Sequence, residues 1–141
     1  MECEFPSVNS NKQEIKEIFD SVKTIAVLGL SPDENKDSHR VAKYLQEVGY
    51  KIVPVYPKEE TILGEKVYRS LLEIPFNVDM VDIFRKPAAL NVIAEACITR
   101  GDVKVFWSQQ GIVNNAAAQI AKDAGMTVVQ NMCSMVEHKH L

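Results

Sequence analysis

The chain has 141 residues and a mass of 15.8 kDa, enough for one domain spanning 1–141 with a full core and no need of disulfides or metals. Its formal charge of −3 and pI near 5.6 argue against a nucleic-acid binder while the mixed charge leaves room for a local basic pocket, and no apolar run is long enough to span a membrane. Residues 1–13 lack the charged and apolar regions of a signal peptide, and three widely spaced cysteines (Cys3, Cys97, Cys133) fit reduced thiols in a cytoplasmic protein.

Residues 1–9 show no periodicity and read as a loosely held arm. Ser10 to Gln13 match a capping box, and Ile15, Ile18, Phe19 and Val22 then line one face of an amphipathic helix laid on a sheet. Residues 24–28 are a continuous apolar run, the pattern of a strand buried on both faces, and they break at Gly29. A polar loop follows. Ser38 stands where a helix cap is wanted, ahead of Val41, Leu45 and Val48, and Gly49 closes that helix before a second strand at 51–56. Pro54 is expected at the frayed end of that strand, past the last full pairing. Residues 59–66 read as a loop turning at Gly64, and Ser70 to Glu73 as a second capping box stopped by Pro75.

A third strand covers 78–84, and Pro87 suits the first turn of a helix with Leu90, Ile93, Ala94 and Cys97 inward. The fourth strand is 103–107. After a polar loop, Ala117, Ile120, Ala121 and Ala124 face the core, then comes a fifth strand at 127–130 and a polar tail. Strands alternating with helices predict an α/β fold, a three-layer Rossmann-like or flavodoxin-like arrangement with a five-stranded parallel sheet and helices on both faces.

In such sheets ligands bind beyond the carboxyl ends of the strands, where strand order reverses. Three segments converge there: Gly29, Leu30, Ser31, Lys36, Ser38 and His39 after the first strand; Tyr56, Pro57 and Lys58 after the second; Phe84, Arg85, Lys86 and Pro87 after the third. Free N–H groups and a helix dipole favour an anion at this edge. Gly29 would admit a close ligand, the two serines would donate to a pyrophosphate, His39 could donate as well, and the four cations would add charge-assisted bonds. Neither a Gly-x-Gly-x-x-Gly turn nor an acidic residue ends the second strand, so an NAD site is not indicated. Lys58 in that place favours a ribose bearing a further phosphate, as in coenzyme A or NADP. Gly-x-x-x-x-Gly-Lys-Ser/Thr is also missing, which removes P-loop chemistry.

Together, residues 25–32, 38–45, 49–58, 81–87, 111–114 and 133–138 resemble the small single-domain CoA-binding proteins related to the N-terminal domain of the succinyl-CoA synthetase alpha subunit. The likeness runs from Ile18 to Leu141. It implies that 29–38 hold the pyrophosphate, that Lys58 lies near the adenosine phosphate, and that 84–87 border the adenine and pantetheine path. Two positions depart from the family pattern: Gln110 replaces an apolar residue, and Met132 replaces an arginine before Cys133.

Cys133, Glu137 and His138 are the best candidates for chemistry, either as a thiolate activated by the histidine or as plain packing and surface groups; packing is the favoured reading. His138 and His140 without further ligands do not make a metal site. The expectation is a non-catalytic binder of coenzyme A or acyl-CoA acting as carrier, sensor or regulator, with an NADP-binding enzyme or redox sensor as the alternative. A homodimer through outer helices is compatible with the pattern.

Overall fold

The computed structural model describes residues 5–141. In chain order the elements are α1 (Lys12–Ser21), β1 (Thr24–Leu28), α2 (Asp37–Glu47), β2 (Lys51–Val55), β3 (Thr61–Ile62), β4 (Glu65–Lys66), β5 (Met80–Ile83), α3 (Leu90–Arg100), β6 (Val105–Ser108), α4 (Asn115–Asp123), β7 (Thr127–Val129) and α5 (Ser134–Lys139), with short 3-10 turns at Leu71–Glu73 and Pro87–Ala89. Five parallel strands form one sheet in the order β2-β1-β5-β6-β7. Strand order therefore reverses between β1 and β5, the flavodoxin-like arrangement.

Alternation along each strand divides the core. Ile25 and Val27 face the side covered by Ile15, Ile18 and Phe19 of α1 and Val41 and Leu45 of α2, with Trp107 and Val129 beside them. Ala26 and Leu28 face the side covered by Leu90, Ala94 and Cys97 of α3 and Ala117, Ala118 and Ala121 of α4. Both faces being covered is what makes the strands read as unbroken apolar runs.

Several boundaries differ from expectation, each for a local reason. The first helix is capped by Asn11, not Ser10: the Asn11 side chain accepts from the Glu14 N–H at 2.9 Å and Glu14 accepts from the Asn11 N–H at 3.0 Å. Exchange of Asn11 for alanine should therefore cost about 1 kcal/mol in a denaturation curve, whereas Ser10→Ala removes no cap bond. Pro54 lies inside the ladder opposite Val27, not beyond it. It is tolerated because β2 is the edge strand and its even-numbered positions face outward, where Tyr68 N–H bonds the Pro54 carbonyl at 3.0 Å. The expected loop at 59–66 is a hairpin of β3 and β4 turned through Leu63 and Gly64, both at positive φ. Glu73 accepts from the Arg69 N–H rather than closing a box with Ser70.

Over residues 5–9 the arm makes contacts at the β7 end of the sheet; residues 1–4 lie outside the described part. Val8 is buried, Asn9 exchanges two 3.0 Å bonds with the backbone of Gln130, and Ser10 Oγ donates to the Val128 carbonyl at 2.7 Å. These bonds cover the open edge of β7, which would otherwise present unpaired backbone groups.

Candidate functional site

Three hollows share walls along the carboxyl edge of the sheet. The central one, about 400 Å³, is lined by Gly29, Val55, Tyr56, Pro57, Arg69, Phe84 and Arg85. Val55, Arg69 and Arg85 also wall an apolar hollow of about 230 Å³ over Leu28, Leu71 and Ile93. On the other side, Phe84 separates the centre from a further 230 Å³ hollow between α2 and α5, where Gln109, Gln110, Ile112, Cys133 and Met135 stand. The centre lies at the β1/β5 reversal, where the sheet topology directs a ligand.

Gly29 is required by its neighbour across the reversal. Its φ is +87°, and a Cβ there would fall 2.5 Å from the Phe84 carbonyl oxygen. The 84–85 backbone thus presses directly on the turn after β1, which places Arg85 over Gly29. Leu30 is fully buried and anchors the loop from below.

Ser38 does not cap α2. The helix begins at Asp37 after Lys36, and Ser38 Oγ instead accepts the Ser31 N–H at 3.0 Å. Ser31 Oγ accepts the Asp33 N–H at 3.1 Å. Each hydroxyl so engaged as an acceptor keeps its own O–H to donate. His39 is buried with Nδ1 at 2.9 Å from the Ser31 carbonyl, so that nitrogen carries the proton and pins the loop. The loop is more acidic than one holding a pyrophosphate by charge alone, since exposed Asp33, Glu34 and Asp37 accompany Lys36, and Asp37 pairs with Arg40.

Of the other expected residues, Tyr56 and Pro57 line the centre, while Lys36, Lys58, Lys86 and Pro87 are exposed around it. Arg69 was not anticipated. Its Nη1 donates to the Tyr56 and Lys58 carbonyls at 3.1 and 2.9 Å, so it both lines the hollow and holds the loop after β2. No spacing rule links it to the strand ends; the hairpin delivers it.

The structure separates the three candidates for chemistry. Cys133 precedes α5 and borders the hollow beside Phe84. His138 is held elsewhere, with Nδ1 2.6 Å from Tyr44 Oη and its ring against the edges of Phe19, Tyr44 and Tyr50. Glu137 lines a different recess beside α1. Met132 gives its carbonyl to Trp107 Nε1 at 2.8 Å and packs against the core. Among the described residues, no three His, Cys, Asp or Glu side chains are grouped to hold a metal, and no helix is long and apolar enough to cross a membrane.

A buried cluster lies beneath the Cys133 hollow. Asp82 on β5 accepts from Ser134 Oγ at 2.7 Å and from Gln109 Nε2, which also donates to Ser134 Oγ at 2.9 Å; the Ser134 N–H bonds Gln109 Oε1 at 3.3 Å. Burial pushes the Asp82 carboxyl up to about 6, against the opposing pull of those two donors. An aspartate inside the otherwise apolar run 80–83 was the visible signal for it.

Residues 23–139 match the model of a CoA binding domain family. The chain is 44% identical over 130 residues to the uncharacterized protein YneT of Bacillus subtilis (strain 168), covering 92% of this chain and 96% of that one. It is 25% identical over 126 residues to an ADP-forming acetate–CoA ligase of Methanocaldococcus jannaschii, of which it spans only 18% while 84% of this chain is covered. A solved structure, a hypothetical protein from Pyrococcus horikoshii OT3, superposes with a TM-score of 0.90 at 40% identity, covering 100% of this chain and 99% of the other. With the sheet order, the reversal-point hollow and these likenesses together, the chain belongs to the CoA-binding domain family and shares its succinyl-CoA synthetase-like fold.

Proposed function

We propose that the protein binds coenzyme A or an acyl-CoA along the carboxyl edge of its sheet, as a carrier, sensor or regulator rather than as an enzyme. The observation carrying this reading is the row of three adjacent hollows that share wall residues along one sheet edge. An apolar recess suits an adenine, the central hollow with its two arginines suits the phosphorylated ribose, and the loop 29–38 offers two hydroxyls beside it. Beyond Phe84, the exposed amide of Gln110 suits a pantetheine arm, whose thiol would end near Cys133. The remaining expected contacts, Lys36, Lys58, Lys86 and Pro87, would border the ligand from the solvent side. Separation of Cys133 from His138 supports binding over thiolate catalysis.

NADP is the second reading, because the arginine pair would hold its ribose phosphate equally well. A thermal-shift panel of CoA, acetyl-CoA, NADP, NAD and ATP separates the two. Ligand at 100 times its Kd adds about 2.7 kcal/mol, or roughly 10 °C for a domain of this size. CoA and acetyl-CoA should raise the midpoint; a response to NADP alone ends the CoA reading.

A further inference from the structure

We propose that Arg69, paired with Arg85, reads a phosphate monoester on the ligand's ribose, making Arg69 the residue that sets specificity for that group. The assignment rests on the nucleotide-binding reading above and goes beyond it by moving the discrimination from Lys58 to Arg69 and Arg85, which are exposed as Lys58 is but line the hollow.

Arg69 reaches the site by an unusual route. Tyr68 pairs with the outer edge of β2, its N–H bonding the Pro54 carbonyl and its carbonyl taking the Tyr56 N–H, both at 3.0 Å. That one-residue extension delivers Arg69 to the carboxyl end of the sheet. Two carbonyls fix its Nη1, leaving the Nε and Nη2 donors for another acceptor. Arg85 lines the same hollow, its Cδ lying beside Gly29.

Charge in the hollow is unbalanced. Two arginines line it with no carboxylate among the lining residues, and the ion pairs among the described residues, Lys16–Asp20, Arg40–Asp37 and Arg100–Asp102, involve neither. Glu73 is engaged by the Arg69 backbone N–H. Two arginines at one hollow match a dianionic monoester better than a singly charged diester, since each can offer a pair of parallel donors. The same two arginines wall the apolar recess, so a base seated there would carry its ribose to them.

Isothermal titration of wild type, Arg69→Met, Arg85→Gln and Lys58→Gln with CoA, dephospho-CoA, NADP and NAD tests this. Wild type should prefer CoA to dephospho-CoA by about 10- to 100-fold, the range for charge-assisted bonds. Arg69→Met should lower CoA affinity at least tenfold more than dephospho-CoA affinity and bring the two within about twofold, on top of a smaller loss common to both from the freed 56–58 loop, and Arg85→Gln should cause the same selective loss, which keeps the test open if one variant fails to fold. Lys58→Gln should keep most of the preference. A role confined to holding the 56–58 loop would instead weaken CoA and dephospho-CoA alike and overturn the proposal. So would an indifferent wild type that still binds CoA, or a preference that vanishes in Lys58→Gln alone; both leave the CoA reading intact. Preference for NADP over NAD without CoA binding would keep the clamp and end the CoA reading, and binding of none of the four would end both.

Discussion

Gly29→Ala should destabilise the protein by about 2–5 kcal/mol and weaken ligand binding with it. Two costs combine at this position. A left-handed backbone costs a side chain roughly 1–2 kcal/mol, and forcing atoms into a packed contact costs roughly 1–3 kcal/mol more. The second cost is specific to the site: at φ +87° the new Cβ would sit 2.5 Å from the Phe84 carbonyl oxygen and 3.2 Å from Arg85 Cδ. Relief requires the turn after β1 and the segment after β5 to separate, although the Leu28 carbonyl takes the Phe84 N–H at 2.8 Å and the Gly29 N–H bonds Val55 at 3.0 Å. Those bonds hold the three strand ends that frame the hollow. Gly49→Ala provides the control, since its φ is +109° but a Cβ there meets nothing within 4 Å. It should lose only the conformational part, about 1–2 kcal/mol. Urea denaturation of both variants measures the difference, and equal losses would remove the Phe84 contact as the reason for a glycine at 29.

The fold was legible because its physics is repetitive. Apolar runs at 24–28 and 51–55 and helical stripes such as Ile15, Ile18 and Phe19 each report burial directly, and the sheet has the parallel α/β form they predict. What stayed hidden depended on partners far along the chain. Ser38 looks like a cap from its neighbours, but its hydroxyl serves the Ser31 N–H, so helix and loop are tied one residue inside the helix start. Residues 5–9 have no period of their own because their contacts are with Gln130, just past β7, and Asn115 at the start of α4. Arg69 carries no local signal at all: a hairpin of two-residue strands positions it. Of the two arginines in the wall of the hollow, Arg85 is legible from its place after the third strand, while Arg69 required the tertiary structure.

Asp82 should make the fold more stable in mild acid than at neutral pH, measured against an Asp82→Asn variant. The carboxyl is fully buried on β5, opposite Val27 and Trp107, and burial moves it from 3.8 up to about 6. A group whose folded value is raised binds its proton more tightly in the native state. Its contribution is therefore complete below about pH 4 and is lost as pH rises through about 6. The corresponding difference between pH 4 and pH 7 is roughly 3 kcal/mol. Other acids act in the opposite sense. Burial works against ionisation of Asp79, but the N–H groups of Thr24 and Lys23 outweigh it; at Asp102 the Arg100 guanidinium does the same, so both carboxyls lie below their ordinary range and lose stabilising contacts in acid. The net profile of the wild type mixes these trends, which is why the variant is needed. Asparagine keeps the shape of the side chain and removes the charge, leaving Gln109 and Ser134 with polar partners. Fluorescence of the single tryptophan, Trp107, reports unfolding from within the same strand pair. Subtracting the variant's curve from the wild type's should give a line falling between pH 4 and pH 7. A flat difference, or one that rises with pH, would mean that Ser134 and Gln109 hold Asp82 as a stabilised carboxylate, and that α5 is fastened to the sheet by charge rather than in spite of it.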